Sequence, residues 1–183
     1  HEQGALRESE SMMIHNVLAL DEKEAKDIMT HRKNIVAIDG NTPFSKAMDF
    51  IIEETHSRFP VYEEDIDNII GAIHIREVLM YAKDPSVQNM PIKDIPNLIF
   101  EVDFIPETKN LDALFKEMQM KKSHIVIVVD EYGQTSGIVA MEDILEEIVG
   151  NIEDEHDQEE KMIEKLPDGS YLMDGMTSAE EAL

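Results

Sequence analysis

Apolar residues recur at spacings of three and four in two stretches of the chain. Phe44, Ala47, Met48, Ile51 and Ile52 form one stripe, and Leu111, Leu114, Phe115 and Met118 form another. Each predicts an amphipathic helix, because residues three and four apart share a helical face. Thr42 and Thr108 are placed to cap these helices, and Pro43 suits a first helical position. A short extended piece precedes each helix: Ile35 to Ile38, and Ile99 to Ile105. Two strands follow each. The first pair is Phe59 to Tyr62 and Ile69 to Ile75; the second is Ile125 to Val129 and Gly137 to Met141. The β-branched run Ile125-Val126-Ile127-Val128-Val129 suits a strand buried on both faces. A closing helix ends each unit, marked by Val78 and Leu79 in the first and by Ile144, Leu145, Ile148 and Val149 in the second.

The order β-α-β-β-α therefore occurs twice, and residue identities support duplication. An offset of 66 residues carries Thr42 to Thr108, Ala47 to Ala113, Ser57 to Ser123, Gly71 to Gly137 and Leu79 to Leu145. The expected fold class is α/β (α+β), with two pseudo-symmetric repeats packed through their sheets. A unit of this size buries only a modest core, so two copies should share one. The predicted divisions are a lead-in helix within 1–24, repeats at 25–84 and 92–152, an acidic linker at 153–165 and the start of a further domain at 166–183. The lead-in helix carries Ile14, Val17 and Leu18 as a stripe. The stretch Asp84 to Pro91, with two prolines, reads as a surface crossing.

Charge narrows the function. The 183 residues carry a formal net charge of -24, with 40 Asp and Glu against 16 Lys and Arg. A nucleic-acid surface needs clustered cations to displace counterions, so nucleic acid is not an expected partner; nor is anionic lipid. Cysteine is absent, which removes thiolate metal sites, disulfides and thiol nucleophiles. No apolar run approaches the roughly 20 residues that span a bilayer. The chain opens His1-Glu2-Gln3-Gly4 and reads as a piece of a longer protein. No nucleophile elbow or phosphate-binding Walker loop appears, so an enzyme is not expected. The six carboxylates and one His of Glu153 to Glu160 could hold a divalent cation, but their spacing is not that of an EF-hand. They read as a solvated linker.

The segment from Gly137-Ile138-Val139-Ala140-Met141-Glu142-Asp143-Ile144-Leu145 to Val149-Gly150 is similar to the tandem CBS-domain pair, or Bateman module, of the hemolysin/CorC/CNNM family of magnesium and cobalt efflux membrane proteins. Ile28-Met29-Thr30, Ser57-Arg58-Phe59-Pro60-Val61-Tyr62 and Asp168-Gly169-Ser170-Tyr171 agree. The resemblance implies a regulatory module that binds AMP or Mg-ATP and dimerises through the CBS pair. It also implies a transmembrane domain in the full-length chain, and hence a place on the cytoplasmic side of the cell membrane. The final segment would be a truncated CorC-associated domain.

The same resemblance implies a nucleotide site. Asp143 would hold the ribose hydroxyls and Arg58, flanked by Ser57 and Pro60, the phosphates. Thr30 would face the base, His56 would stack on it, and Ile138 and Phe59 would line its slot. Ala140 departs from the pattern, where Thr is frequent; a lost hydroxyl costs about 0.5–1.5 kcal/mol. A second cleft, with His74, Glu77 and His124 in the matching places, is expected to be poorer and empty. The alternative to a sensor is a ligand-free interaction and dimerisation scaffold.

Overall fold

The computed structural model describes residues 2–150, so the expected acidic linker and the further domain lie outside the described residues. The described residues divide into two compact units, one comprising 21–144 and the other 2–20 with 145–150. In the latter, helix α1 (Glu2–Ala19) donates the Asn16 side-chain amide to the Ile148 carbonyl at 2.7 Å. The helix is longer than its apolar stripe predicts. Ile14 and Leu18 of that stripe are 62% and 69% exposed, so the stripe faces solvent rather than a core.

The 21–144 unit opens with the short helix α2 (Ala25–Ile28) and strand β1 (Thr30–His31). The first repeat then runs β2 (Ile38–Asp39), α3 (Phe44–Glu53), β3 (Arg58–Tyr62), β4 (Ile69–His74) and α4 (Ile75–Tyr81). After strand β5 (Ile99–Phe100), the second runs β6 (Asp103–Pro106), α5 (Leu111–Lys121), β7 (Ile125–Val129) and β8 (Thr135–Ala140). Residues 141–150 are helical and are called α6. The mixed α/β class and the β-α-β-β-α repeat are as expected. The β-branched run forms a strand whose first four residues are buried.

Each sheet takes in a short strand from the start of the other repeat. The two sheets are ordered β2-β3-β4-β5 and β1-β8-β7-β6. Strand β1 lies at the start of the first repeat but pairs with β8 of the second, placing Thr30 opposite Ile138. Strand β5 lies at the start of the second repeat but pairs with β4 of the first, placing Ile99 opposite Ile73. The expected single piece Ile99 to Ile105 is thus two strands serving different sheets. The exchange explains two glycines. A Cβ on Gly71 would lie 2.6 Å from the Phe100 carbonyl oxygen, and one on Gly137 would lie 2.4 Å from that of Thr30. Real side chains do not approach backbone so closely, so each borrowed strand needs glycine where it docks.

The helix starts differ from the sequence reading in the same exchanged manner. Neither Thr42 nor Thr108 is a cap. Helix α3 follows Pro43, and its Phe44 and Ser45 amides donate to the carbonyls of Met90 and Gln88. Helix α5 is capped by Asn110, whose side-chain oxygen accepts from Ala113 N at 2.9 Å, while Leu111 N donates to Lys23 O. The stretch before one repeat thereby satisfies the open amides of the other repeat's first helix. The stretch 84–91 runs along the surface except at Val87, which is buried in the core with Phe44, Ile51, Phe59, Ile73 and Leu98.

Candidate functional site

The geometry around β8 and α6 begins with a tight junction. Strand β8 ends at Ala140 and the helix begins at the next residue. The Asp143 carboxylate folds back so that Oδ2 accepts the Ala140 amide proton at 2.9 Å. One of its oxygens is thus engaged, and Asp143 helps to line a cavity. Burial pushes the Asp143 carboxyl above its ordinary value; the Ala140 amide opposes this, and the neighbouring Glu142 adds to it. A half-buried carboxylate with one amide donor has acceptor capacity to spare, and a ligand with two hydroxyls would fill it.

Strand β3 supplies the opposite wall. Successive strand residues point to opposite sides. Arg58 and Pro60 line the cavity, and Phe59 between them is fully buried in the core. Phe59 is therefore a correction to the expected slot. It supports the wall from behind, with its ring edge-on to His56 at a centroid distance of 6.1 Å. His56 and Ser57 line the cavity beside Arg58. The Arg58 side chain is only 16% exposed, and its Nη1 stands 3.9 Å from Oε2 of Glu142, which is itself 68% exposed.

The remaining predicted residues meet here through the borrowed strand. Pairing of β1 with β8 puts Thr30 beside Ile138, and both line the cavity with Ala140. The cleft has a volume of about 320 Å³, within the range of small-molecule sites. Eight of the nine predicted residues converge on it, all but Phe59. The wall also contains Asn34, Ile35, Val36, Thr55, Ile125 and Glu142, which sequence reasoning did not select. Ile35 and Val36 were expected in a strand; they lie in the connection before β2. Ile125 had a signal: it opens the strand that pairs with β8, opposite Ala140.

Residues 25–84 and 92–150 each match the CBS domain family. The chain belongs to the CBS-domain family. Its tandem CBS pair is of the CorC/hemolysin type. It is 36% identical over 177 residues to Hemolysin C of Brachyspira hyodysenteriae, a match covering 97% of this chain and 63% of that protein. It is 38% identical over 170 residues to the magnesium and cobalt efflux protein CorC of Pasteurella multocida, covering 92% and 55%. The chain thus spans less than two thirds of the length of these curated relatives. Among solved structures, the CBS domain of a bacterial CNNM/CorC family Mg2+ transporter is 36% identical with a TM-score of 0.73, covering 81% of this chain and 88% of that one. A structure of such a CBS domain in complex with ATP is 35% identical with a TM-score of 0.71, covering 77% and 97%. A CBS-domain pair with bound AMP from Klebsiella pneumoniae is 32% identical with a TM-score of 0.60, covering 69% and 98%.

Among the described residues of this CBS pair, no cluster of three or more His, Asp or Glu side chains could hold a metal ion. No helix among them is long and apolar enough to cross a membrane.

Proposed function

We propose that this CBS pair is the regulatory adenine-nucleotide-binding module of a membrane ion-efflux protein, with AMP or Mg-ATP as its ligand. The observation that carries the proposal is the convergence of Arg58 and Asp143 on one cavity of about 320 Å³ floored by Ile138 and Pro60. The parts match the ligand's parts. An apolar slot suits adenine, a donor-poor carboxylate suits the ribose diol, and a guanidinium suits phosphate oxygens. The contact of Arg58 with Glu142 does not close the site. The pair is long, at 3.9 Å, and its Glu142 partner is 68% exposed, so water screens it and phosphate can displace Glu142. The complexes of similar CBS domains with ATP and AMP support the choice of ligand class.

In this reading the chain has no catalytic role. It sits on the cytoplasmic side of the membrane, pairs with a second copy through the CBS repeats, and transmits the bound state to a transmembrane domain. Magnesium enters with ATP. The first cleft holds Glu142 and Asp143 beside a lone Arg58, so bare triphosphate meets more negative than positive charge. Calorimetry with AMP, ADP and ATP, each with and without magnesium, tests this. ATP should bind more weakly without the metal and AMP should be little affected. No heat from any of the three rejects the proposal.

One observation favours a second reading. Ala140 offers no hydroxyl where ligand would lie, which suits an interaction scaffold that has lost its nucleotide. Thermal shift separates the two: a ligand raises the melting temperature in proportion to ln(1 + [L]/Kd), whereas a scaffold ignores every nucleotide.

A further inference from the structure

A second cavity of about 420 Å³ lies on the other side of Arg58, whose side chain lines both. Its wall brings Arg58, Arg76, Lys121 and Lys122 together. These are four of only 16 Lys and Arg in a chain of net charge -24, so the clustering runs against the chain's composition. Three acids, Glu77, Glu101 and Asp103, share the cavity, and Asp103 is already bonded to Lys121 at 3.2 Å.

The 66-residue offset shows how the two clefts diverged. Glu142, Thr55, His56 and Ala140 of the first cleft correspond to Arg76, Lys121, Lys122 and His74 of the second. One acid has become a base, and two uncharged positions have become lysines. His74 fills the place beside the helix that Ala140 leaves open. Its Nδ1 accepts the Arg76 amide proton at 2.9 Å, so its proton is carried on Nε2, a donor. Burial holds the His74 pKa below its ordinary value, and so does the positive charge of Arg58 and Arg76, while Glu77 opposes them.

We propose that this second cleft is a phosphate-accepting compartment and not a second nucleoside pocket. Two guanidinium forks and two ammonium groups around one cavity suit a polyphosphate anion. Because Arg58 borders both cavities, the anion has two possible sources. It is either the phosphate chain of a nucleotide whose base sits in the first cleft, or a free inorganic phosphate species. The first source rests on the proposed function; the compartment itself does not.

Inorganic pyrophosphate is the probe. It should bind the wild-type chain and shift the backbone amide resonances of 74–77 and 121–124, leaving those of 138–143 in place. The double variant Arg76→Gln with Lys122→Asn removes two cations; Asn suits the left-handed backbone at Lys122 (φ 56°). Pyrophosphate affinity should fall at least about tenfold, with AMP affinity unchanged. ATP affinity should fall too, most in the absence of magnesium, if the nucleotide is the source. In that case ATP excludes pyrophosphate while AMP binds alongside it; ATP and pyrophosphate bound together identify the free anion. Absence of pyrophosphate binding, unchanged affinity in the variant, or resonance shifts confined to other segments would each overturn the compartment. Pyrophosphate binding without any AMP binding would instead reject the nucleotide reading and leave the compartment standing.

Discussion

Asp143→Asn separates a ligand-binding carboxylate from one that merely stabilises the start of α6. The substitution keeps size and shape. The Asn side-chain oxygen can still accept the Ala140 amide proton that Asp143 Oδ2 accepts at 2.9 Å. What changes is the other oxygen, an anionic acceptor that becomes an amide NH2. A bond to a charged acceptor is worth about 1 kcal/mol more than its neutral counterpart. Two ribose hydroxyls thus lose about 2 kcal/mol, or roughly 30-fold in Kd. Stability should move the other way. The folded-state pKa of Asp143 is raised, chiefly by burial, so its ionisation opposes folding. That penalty is absent below the unfolded-state value and complete above the folded one. At neutral pH the variant should therefore melt at the same temperature as the parent or higher, with nucleotide absent. Calorimetry with AMP and a thermal melt without ligand provide the two readings. A lower melting temperature with unchanged AMP affinity would show that Asp143 serves the helix and not a ligand.

Restoring a hydroxyl with Ala140→Thr should tighten AMP or Mg-ATP binding about threefold to tenfold, the equivalent of 0.5–1.5 kcal/mol, measured by calorimetry. A second expectation concerns the Arg32–Asp67–Thr135 cluster, in which Arg32 Nη1 donates to Asp67 Oδ1 at 2.6 Å and to Thr135 O at 3.0 Å. The Asp67 carboxyl is held below its ordinary value of 3.8, first by the Arg32 hydrogen bond and also by the Thr135 amide. Its stabilisation is complete above that ordinary value and is lost as pH falls through the lower folded value. Asp67→Asn should cost about 1 kcal/mol at neutral pH, and denaturation midpoints of variant and parent should converge as pH falls below the ordinary carboxylate range. Finally, Gly137→Ala places a Cβ 2.4 Å from the Thr30 carbonyl oxygen and 2.8 Å from Met29 Sδ. Overpacking of this kind costs about 1–3 kcal/mol, and AMP affinity should fall with it because Thr30 must move; a melt and a titration check both.

The duplicated order of elements was legible because it rests on local pattern. The stripes of α3 and α5 and the apolar run of β7 fix their elements without reference to distant residues. The borrowed strands were not legible, because β1 and β5 are two residues long and no periodicity exists at that length. Their trace in the sequence was the repeated glycine, Gly71 and Gly137, whose cause is backbone approach from another part of the chain. The helix caps failed for the same reason: Phe44 and Leu111 find carbonyls from Met90 and Lys23, which no local capping rule reaches. Phe59 was an avoidable error, since two-residue alternation about Arg58 and Pro60 already sends it to the other side of β3.

The pairing of Arg58 with Asp143 was legible for a different reason: the two motifs belong to different repeats, and pseudo-symmetry obliges their strands to face a common cleft. The same symmetry carries information that motif matching discards. Aligning the repeats by 66 residues to find shared residues selects Ser57 and Ser123, Gly71 and Gly137. Positions that differ, Glu142 against Arg76 and His56 against Lys122, line the two cavities beside the shared Ser57 and Ser123. A duplicated backbone supplies two equivalent hollows at no added structural cost, and only the side chains at their rims decide what each accepts. Net charge of -24 describes neither cleft, because charges beyond about 8 Å are screened at physiological salt. What a phosphate meets on entry is the local balance: one cation against two carboxylates on the first side of Arg58, four cations against three on the second.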